Sequence, residues 1–349
     1  MTQPRYDAGS LTLFATGLLV AAGMEQPKAE AMAEILVDTD MLGHNTHGLA
    51  LLPMYLREIG NGSLTCSGTP EVLSDRAACL TWNGRGLPGF WLLKEAIAIA
   101  CERSDTFGMS AVAIGNAHHM GCLASFLEPV TAQGKVILIF SSAPSSASVA
   151  PFGGRSGALS PAPVAVGIPT AGDPIIIDTS ASITTNNMAQ RMTTEGRVYD
   201  SPAFVGADGS ASGDPAVLAA GGAILPAGGM DHGQKGYGWN LITETTSQGF
   251  SGQGRSGRPR GIVNAALVQV MEPGFFAGTA AFGAETSAIV AACHAATPVD
   301  PARPTRVPGE SGLGRKRAAL ADGVALRGGI MENLEEWATR FDVALPAAL

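Results

Sequence analysis

Charge is scarce in this sequence. Asp, Glu, Lys and Arg make up 15% of its 349 residues, with a net charge of −8. No basic cluster is long enough to follow a phosphate backbone, so nucleic acid is not an expected partner. The two basic groupings, "GRSGRPRG" around Arg255 and "GRKR" ending at Arg317, read as solvated loops or helix ends. Cysteine is scarce as well. Cys66, Cys79, Cys101, Cys122 and Cys293 are scattered, and no Cys-x-x-Cys occurs. That excludes a disulfide framework or thiolate metal site and points to a reducing compartment. Long apolar runs are missing too. Residues 11–22 are interrupted by Thr16 and Gly17, and Asp7, Glu25, Lys28 and Glu30 lie in the first thirty positions. Neither a membrane span nor a secretory leader is expected, and the expected location is cytoplasmic.

What is present is apolar material: hydrophobic residues account for 46% of the chain. This suffices for one large domain or two, and so lightly charged a surface favours association, so an oligomer is expected. Residues 8–60 read as helices. "SLTLFATGLLVAAG" ends at Gly23, "PKAEAMAEILVDTDMLG" opens on a proline and stops at Gly43, and "GLALLPMYLREIGNG" stops at its glycines. From about residue 71 strands and helices alternate. "ACLTWNG", "MSAVAIGNA", "KVILIFSSAP", "PVAVGIP", "PIIIDTSAS" and "AALVQVME" are strand-like, while "GFWLLKEAIAIACERSDTFG", "CLASFLEPVTAQG" and "KGYGWNLITETTSQGFSG" are helix-like. The pattern implies an α/β architecture with at least partly parallel strands. Residues 183–225 are loop-rich, and helix returns from about Ala281, broken by "TPVDPARPTRVPGE". The expected division is 1–70 helical, 71–285 mixed α/β, and 286–349 helical, packing on the N-terminal part.

One glycine pattern is misleading. "GQGRSG" at 252–257 matches the dinucleotide fingerprint as text. That fingerprint needs a strand before it and a helix starting within it, and here a helix precedes it and "RPRG" follows. A Rossmann domain is therefore not expected, and no Gly-Lys-Ser/Thr phosphate loop occurs either.

The histidines carry more. There are six, and two fall in "GHNTHGLALL", with two more in "NAHHMG" after a strand. His44 and His47 stand three apart, which on a helix would put them on one side. Three readings compete. The familiar zinc pair is spaced i, i+4 with a glutamate between, and "HNTH" has neither feature, so no metal is expected. A structural role suits His44, His118, His232 and His294. Proton transfer needs an imidazole titrating near neutrality and oriented by a polar partner, which His47, His119 and Asp178, at the end of the "PIIID" strand, can supply if the fold gathers them.

Taken in order, "DTDMLGHNTHGLALLPMYLREI", "IGNAHHMG", "APFGGRSGALSPAPVAVGIP", "IIIDTSAS", "LPAGGMDHGQKGYGWNL" and "RVPGE" resemble the successive motif blocks of the malate/L-lactate dehydrogenase family. That family is distinct from the Rossmann-type lactate dehydrogenases and includes ureidoglycolate dehydrogenases, diketogulonate reductases and cyclic imino-acid reductases. The resemblance runs over about residues 11–328. It implies a mixed-sheet NAD(P)-binding domain of non-Rossmann type, a helical domain built from both termini, and a homodimer. It also implies hydride transfer between NAD or NADP and a 2-hydroxy or 2-oxo acid, or alternatively a cyclic imino acid. By position, His47 matches the family's proton donor or acceptor and His119 its second active histidine. Asp178, Thr179, Ser180, Lys235, Gly309 and Glu310 match its cofactor contacts, with Asp178 also able to orient the chemistry. Thr46 keeps the hydroxyl that precedes the histidine. Three departures stand out. Leu42 and Leu51 replace arginines that hold a substrate carboxylate, which implies either a larger or less polar substrate or a carboxylate held by another residue, with Arg191 the candidate; and Pro161-Ala162-Pro163 replaces Thr-Asn-Pro. Two alternatives of another class follow: a relative that binds nucleotide or metabolite without turnover, and a metal hydrolase using His44 and His47.

Overall fold

A computed structural model describes residues 3–349. Its N-terminal segment is helical because each helix has a start and a stop signal. Strand β1 (Arg5–Tyr6) leads to α1 (Ala8–Ala21), where the Asp7 carboxylate accepts the Ser10 N–H at 2.7 Å as an N-cap. Helix α2 (Gln26–Leu42) has Pro27 in its first turn and ends at Gly43, whose φ of 88° is open mainly to glycine. A short 3₁₀ turn at Leu49–Leu51 then leads into α3 (Leu52–Gly60).

The sheet follows. Strands β2 (Glu71–Arg76) and β3 (Cys79–Asn83) form a hairpin, and α4 (Gly89–Phe107) crosses over to β4 (Met109–Ala117). After one turn of helix, α5 (Glu128–Thr131), come β5 (Val136–Ser142), β6 (Val164–Ile168) and β7 (Ile175–Thr179). Helix α6 (Asn186–Thr194), the two-residue strands β8 (Phe204–Val205), β9 (Ala211–Ser212) and β10 (Ala223–Ile224), α7 (Gly229–His232) and α8 (Gln234–Ser251) precede β11 (Asn264–Met271). The chain closes with α9 (Thr279–Ala295), α10 (Glu310–Asp322), β12 (Val324–Ala325) and α11 (Ile330–Phe341).

Seven strands form one mixed sheet in the order β2-β3-β4-β11-β5-β6-β7. Only β3 and β4 run parallel, joined by the α4 crossover, and every other neighbouring pair is antiparallel. Helix α4 covers one face and α8 the other. On the α4 side, α2 packs on α4, and α10 and α11 return to pack on α2, α1 and α3, while β12 pairs with β1. One continuous apolar cluster joins Leu18, Leu36, Tyr55, Phe90, Val112, Val268 and Leu334, so both chain ends and the sheet share a core. Among the described residues no helix is long and apolar enough to cross a membrane.

The structure departs from the sequence reading in four places. The 183–225 region holds α6 and a three-stranded sheet with its own small core around Phe204 and Ile224. "CLASFLEPVTAQG" is broken into a 3₁₀ turn and the single turn α5, because Pro129 lacks an N–H and Ala124 gives its own to Asp178. Neither basic grouping is simply solvated. Arg255 is paired with the buried Glu244. Lys316 bridges Asp38 and Glu128 at 2.6 Å each, tying α10 to α2 and α5, while Arg315 donates to the carbonyl of Leu42.

Candidate active site

The histidine stretch lies at a helix junction but not on a helix. Gly43 ends α2, the His44 N–H reaches back to the Thr39 carbonyl, and the His47 N–H donates to the His44 carbonyl at 2.9 Å. The i, i+3 spacing therefore closes a turn. The turn rests on Asp40. One oxygen of this half-buried side chain accepts the Leu49 N–H at 2.8 Å, and desolvation pushes its pKa up to about 6. A Cβ on Gly48 would lie 2.4 Å from the Asp40 carboxyl, so only glycine lets the chain pass here. His47 is thereby held at the mouth of a cleft, with Thr46 Oγ1 2.9 Å from its Nδ1.

The second histidine arrives from the end of β4. His119 stacks on His47 with ring centroids 6.0 Å apart at 22°. Its Nδ1 lies 2.6 Å from the Tyr55 hydroxyl on α3. Burial, reinforced by the neighbouring His47 and His118 rings, lowers its pKa to about 3, so it is neutral at physiological pH. His47 is also lowered by burial, but the charge of Asp178 works against that and His44 adds to it. The two stacked rings therefore differ: one is locked neutral, the other sits beside a carboxylate that favours its protonated form. His118 points away, buried, with Glu58 3.7 Å from its Nε2.

Asp178, next to last in β7, accepts the Ala124 N–H at 2.8 Å and the Cys122 thiol at 3.5 Å. It stands where two cavities meet. The first, of about 570 Å³, is lined by Thr46, His47, Leu51, His119, Asp178 and Ser180, among others. The second, of about 800 Å³, is lined by Asp178, Thr179, Arg303, Arg306, Gly309 and Arg315, among others. His44 borders both.

Most of the sequence-derived candidates converge on these cavities. Leu51, one of the two arginine replacements, faces the first and Leu42 the second. Pro161, Ala162 and Pro163 also line the first cavity, on a segment fixed through Ser160, whose N–H and hydroxyl donate to Glu244 at 2.7 and 2.6 Å. Three candidates lie elsewhere. Lys235 is exposed on the first turn of α8. Glu310 is held by His294 at 2.6 Å. Arg191 is engaged by Glu195 at 3.0 Å and Asn45 at 3.3 Å. Among the described residues no three His, Cys, Asp or Glu side chains converge as a metal site would require. Tyr55, Cys122 and the arginines of the proline-rich segment were not singled out from sequence, and His44 was given only a structural or metal-binding role. For His44 the signal was its closeness to His47; the others carried none.

Comparison with known proteins supplies the lineage. The family profile described as malate/L-lactate dehydrogenase matches residues 6–335. An L-lactate dehydrogenase from Cupriavidus necator is 29% identical over 343 residues, 96% of this chain and 97% of that protein. A Delta(1)-pyrroline-2-carboxylate/Delta(1)-piperideine-2-carboxylate reductase from Pseudomonas syringae pv. tomato is 29% identical over 239 residues, 67% of each chain. The crystal structure of malate dehydrogenase from Entamoeba histolytica superposes with a TM-score of 0.92 over 99% of this chain and 100% of that one; at 19% identity it shares the fold. With the profile spanning all but the outermost residues at each end, the chain belongs to the malate/L-lactate dehydrogenase family and is an oxidoreductase.

Proposed function

We propose that this protein interconverts a 2-hydroxy acid and a 2-oxo acid using NAD or NADP, with His47 moving the proton. The observation that carries the reading is the pairing of a neutral His119 with a carboxylate-supported His47 on one cleft. The second cavity fits a dinucleotide. Gly309, at φ 104°, heads α10, and a Cβ there would lie 2.8 Å from the Ile176 nitrogen, so the bare backbone forms a cradle. Free N–H groups at a helix start, with Arg303, Arg306 and Arg315 around the cavity, suit anionic phosphates. Asp178, Thr179, Gly309 and Ser311 would hold the cofactor there, with Ser180 on the side of the first cavity. Bound in this way, a nicotinamide cofactor supplies or accepts the hydride.

The rest falls to the chain. In reduction, His47 gives a proton to the substrate oxygen, which would otherwise be left as an alkoxide; in oxidation it takes that proton back. Thr46 orients the ring through Nδ1, leaving Nε2 for the substrate. Cyclic imino-acid reduction is the second reading. It rests on the similarity to the pyrroline/piperideine carboxylate reductase and needs the same proton, delivered to nitrogen. No lysine or arginine is among the described residues lining the first cavity, so the substrate carboxylate falls to neutral donors and imidazoles. Following reduced-cofactor absorbance with a panel of 2-oxo acids and cyclic imines, using each cofactor, tests the proposal. Absence of turnover across the whole panel overturns it.

Asp178 gives a pH prediction. Its charge raises the pKa of His47, so Asp178→Asn lets that pKa fall further. Reduction needs the protonated ring, and its activity then declines at lower pH, by roughly 0.5–1 unit. Oxidation needs the neutral ring and persists to correspondingly lower pH. Profiles of kcat/KM in both directions check this; unmoved limbs remove Asp178 from the proton transfer.

We assign a homodimer. Helix α9 runs 17 residues with an apolar composition, yet Thr286 is its one buried residue. Phe275, Phe276 and Ile289 are 56%, 65% and 57% exposed nearby, and Trp239 and Phe250 protrude from α8 at 54% and 63%. A second copy would cover such a surface. Light scattering is expected to return twice the chain mass, and a monomer at micromolar concentration contradicts the assignment. The five cysteines are all free, which supports a cytoplasmic location.

A further inference from the structure

We propose that Tyr55 is a positioning residue that fixes the tautomer of His119, making its Nε2–H a permanent hydrogen-bond donor to the first cavity. The inference rests on the reading of that cavity as the substrate site. Tyr55 sits on α3, 0% exposed. Its ring is boxed in: edge-on to Phe90 at 5.6 Å and 87°, edge-on to His118 at 6.1 Å and 66°, and stacked on His119 at 6.0 Å and 28°. Such a ring has one available orientation, and with it one place for its hydroxyl.

That hydroxyl lies 2.6 Å from His119 Nδ1, its one hydrogen-bond partner among the described residues. A buried phenol proton left without an acceptor costs about 1–3 kcal/mol. If Nδ1 carried a proton, Tyr55 would have to accept it and turn its own proton toward the apolar wall formed by Phe90. The arrangement that satisfies both groups has Tyr55 donating and Nδ1 accepting. A neutral imidazole holds one ring proton, so it resides on Nε2. Burial keeps both partners in these forms, raising the phenol well above its usual range and lowering the imidazole. The titratable groups facing His119 are Tyr55, His47 and His118, with Glu58 behind His118.

The consequence is a division of labour between two stacked imidazoles. His119 can give a hydrogen bond to a substrate oxygen, carbonyl or carboxylate, and cannot take up a proton at physiological pH. His47 alone titrates. In the other tautomer a bare Nε2 lone pair would face the substrate oxygen and repel it. Tyr55 lies outside the cavity lining and reaches the substrate only through His119.

The test is nitrogen NMR of the ligand-free protein with ¹⁵N-labelled histidine, the His119 signals assigned by their loss in His119→Gln. The expected result is an unprotonated Nδ1 and a protonated Nε2, unchanged from pH 6 to pH 9. A protonated Nδ1 overturns the proposal. In Tyr55→Phe the His119 signals are expected to shift to a mixture of tautomers, with kcat/KM falling about tenfold. A variant that keeps the wild-type tautomer and turnover also overturns it. A merely structural tyrosine would lower the melting temperature and leave the tautomer unchanged. The NMR result needs no substrate, so a failure of the proposed reaction and a failure of this inference are read separately.

Discussion

Replacing His47 with alanine is expected to lower kcat for 2-oxo acid reduction by at least about 100-fold, the low end of what a positioned acid contributes. At about 1.4 kcal/mol per factor of ten, this is about 3 kcal/mol of transition-state stabilisation or more. The fold has little stake in the side chain. His47 is half-buried at the cleft mouth, its ring bonded to the adjacent Thr46 hydroxyl, and the turn itself is held by backbone bonds and by Asp40. The melting temperature is therefore expected to move by less than about 2 °C. The variant should still bind cofactor, because the second cavity does not include His47. Steady-state kinetics, a thermal melt and cofactor fluorescence separate the three effects. A kcat within a few-fold of the parent would transfer the proton to another group, and His44, which borders both cavities, is an imidazole that could take it.

The sequence yielded those parts of this site whose signal is local. The α4 and α8 patterns are long and periodic, and both helices appear where the pattern placed them. His47, His119 and Asp178 stand in motif blocks or at a strand end and do meet at one cleft. What escaped reading depends on distant parts of the chain. The central position of β11, paired antiparallel with both β4 and β5, joins segments more than a hundred residues apart. Strands β8 to β10 are two residues each, too short for alternation to register. Tyr55 looked like an ordinary apolar helix position, because its partner lies 64 residues away. The "HNTH" spacing suggested a helix face because periodicity says nothing of a turn closed by backbone bonds.

Arg255 shows how misleading local charge can be, and it gives the second large prediction. In sequence it belongs to a flexible-looking basic loop. In the fold its guanidinium makes a forked pair with Glu244, at 2.9 Å from Nε and 2.6 Å from one terminal nitrogen. The other terminal nitrogen donates to the carbonyls of Ser146 at 2.7 Å and Pro144 at 3.3 Å. Glu244 is 5% exposed on the sheet-facing side of α8, and it also takes the Ser160 N–H and hydroxyl. Removing the arginine leaves a buried carboxylate without its countercharge, which costs about 3–5 kcal/mol. The Ser160 donors and Gln248 remain, so Arg255→Ala should cost about 3 kcal/mol and lower the melting temperature by roughly 4 °C. Ser145, Ser146, Ser160 and Pro161 line the first cavity, so KM should rise together with the loss of stability. Adding Glu244→Gln removes the stranded charge and keeps an oxygen for Ser160, so the double variant should regain part of the loss. A double variant no more stable than Arg255→Ala would show that the cost comes from the lost carbonyl contacts at Pro144 and Ser146 rather than from an uncompensated buried charge.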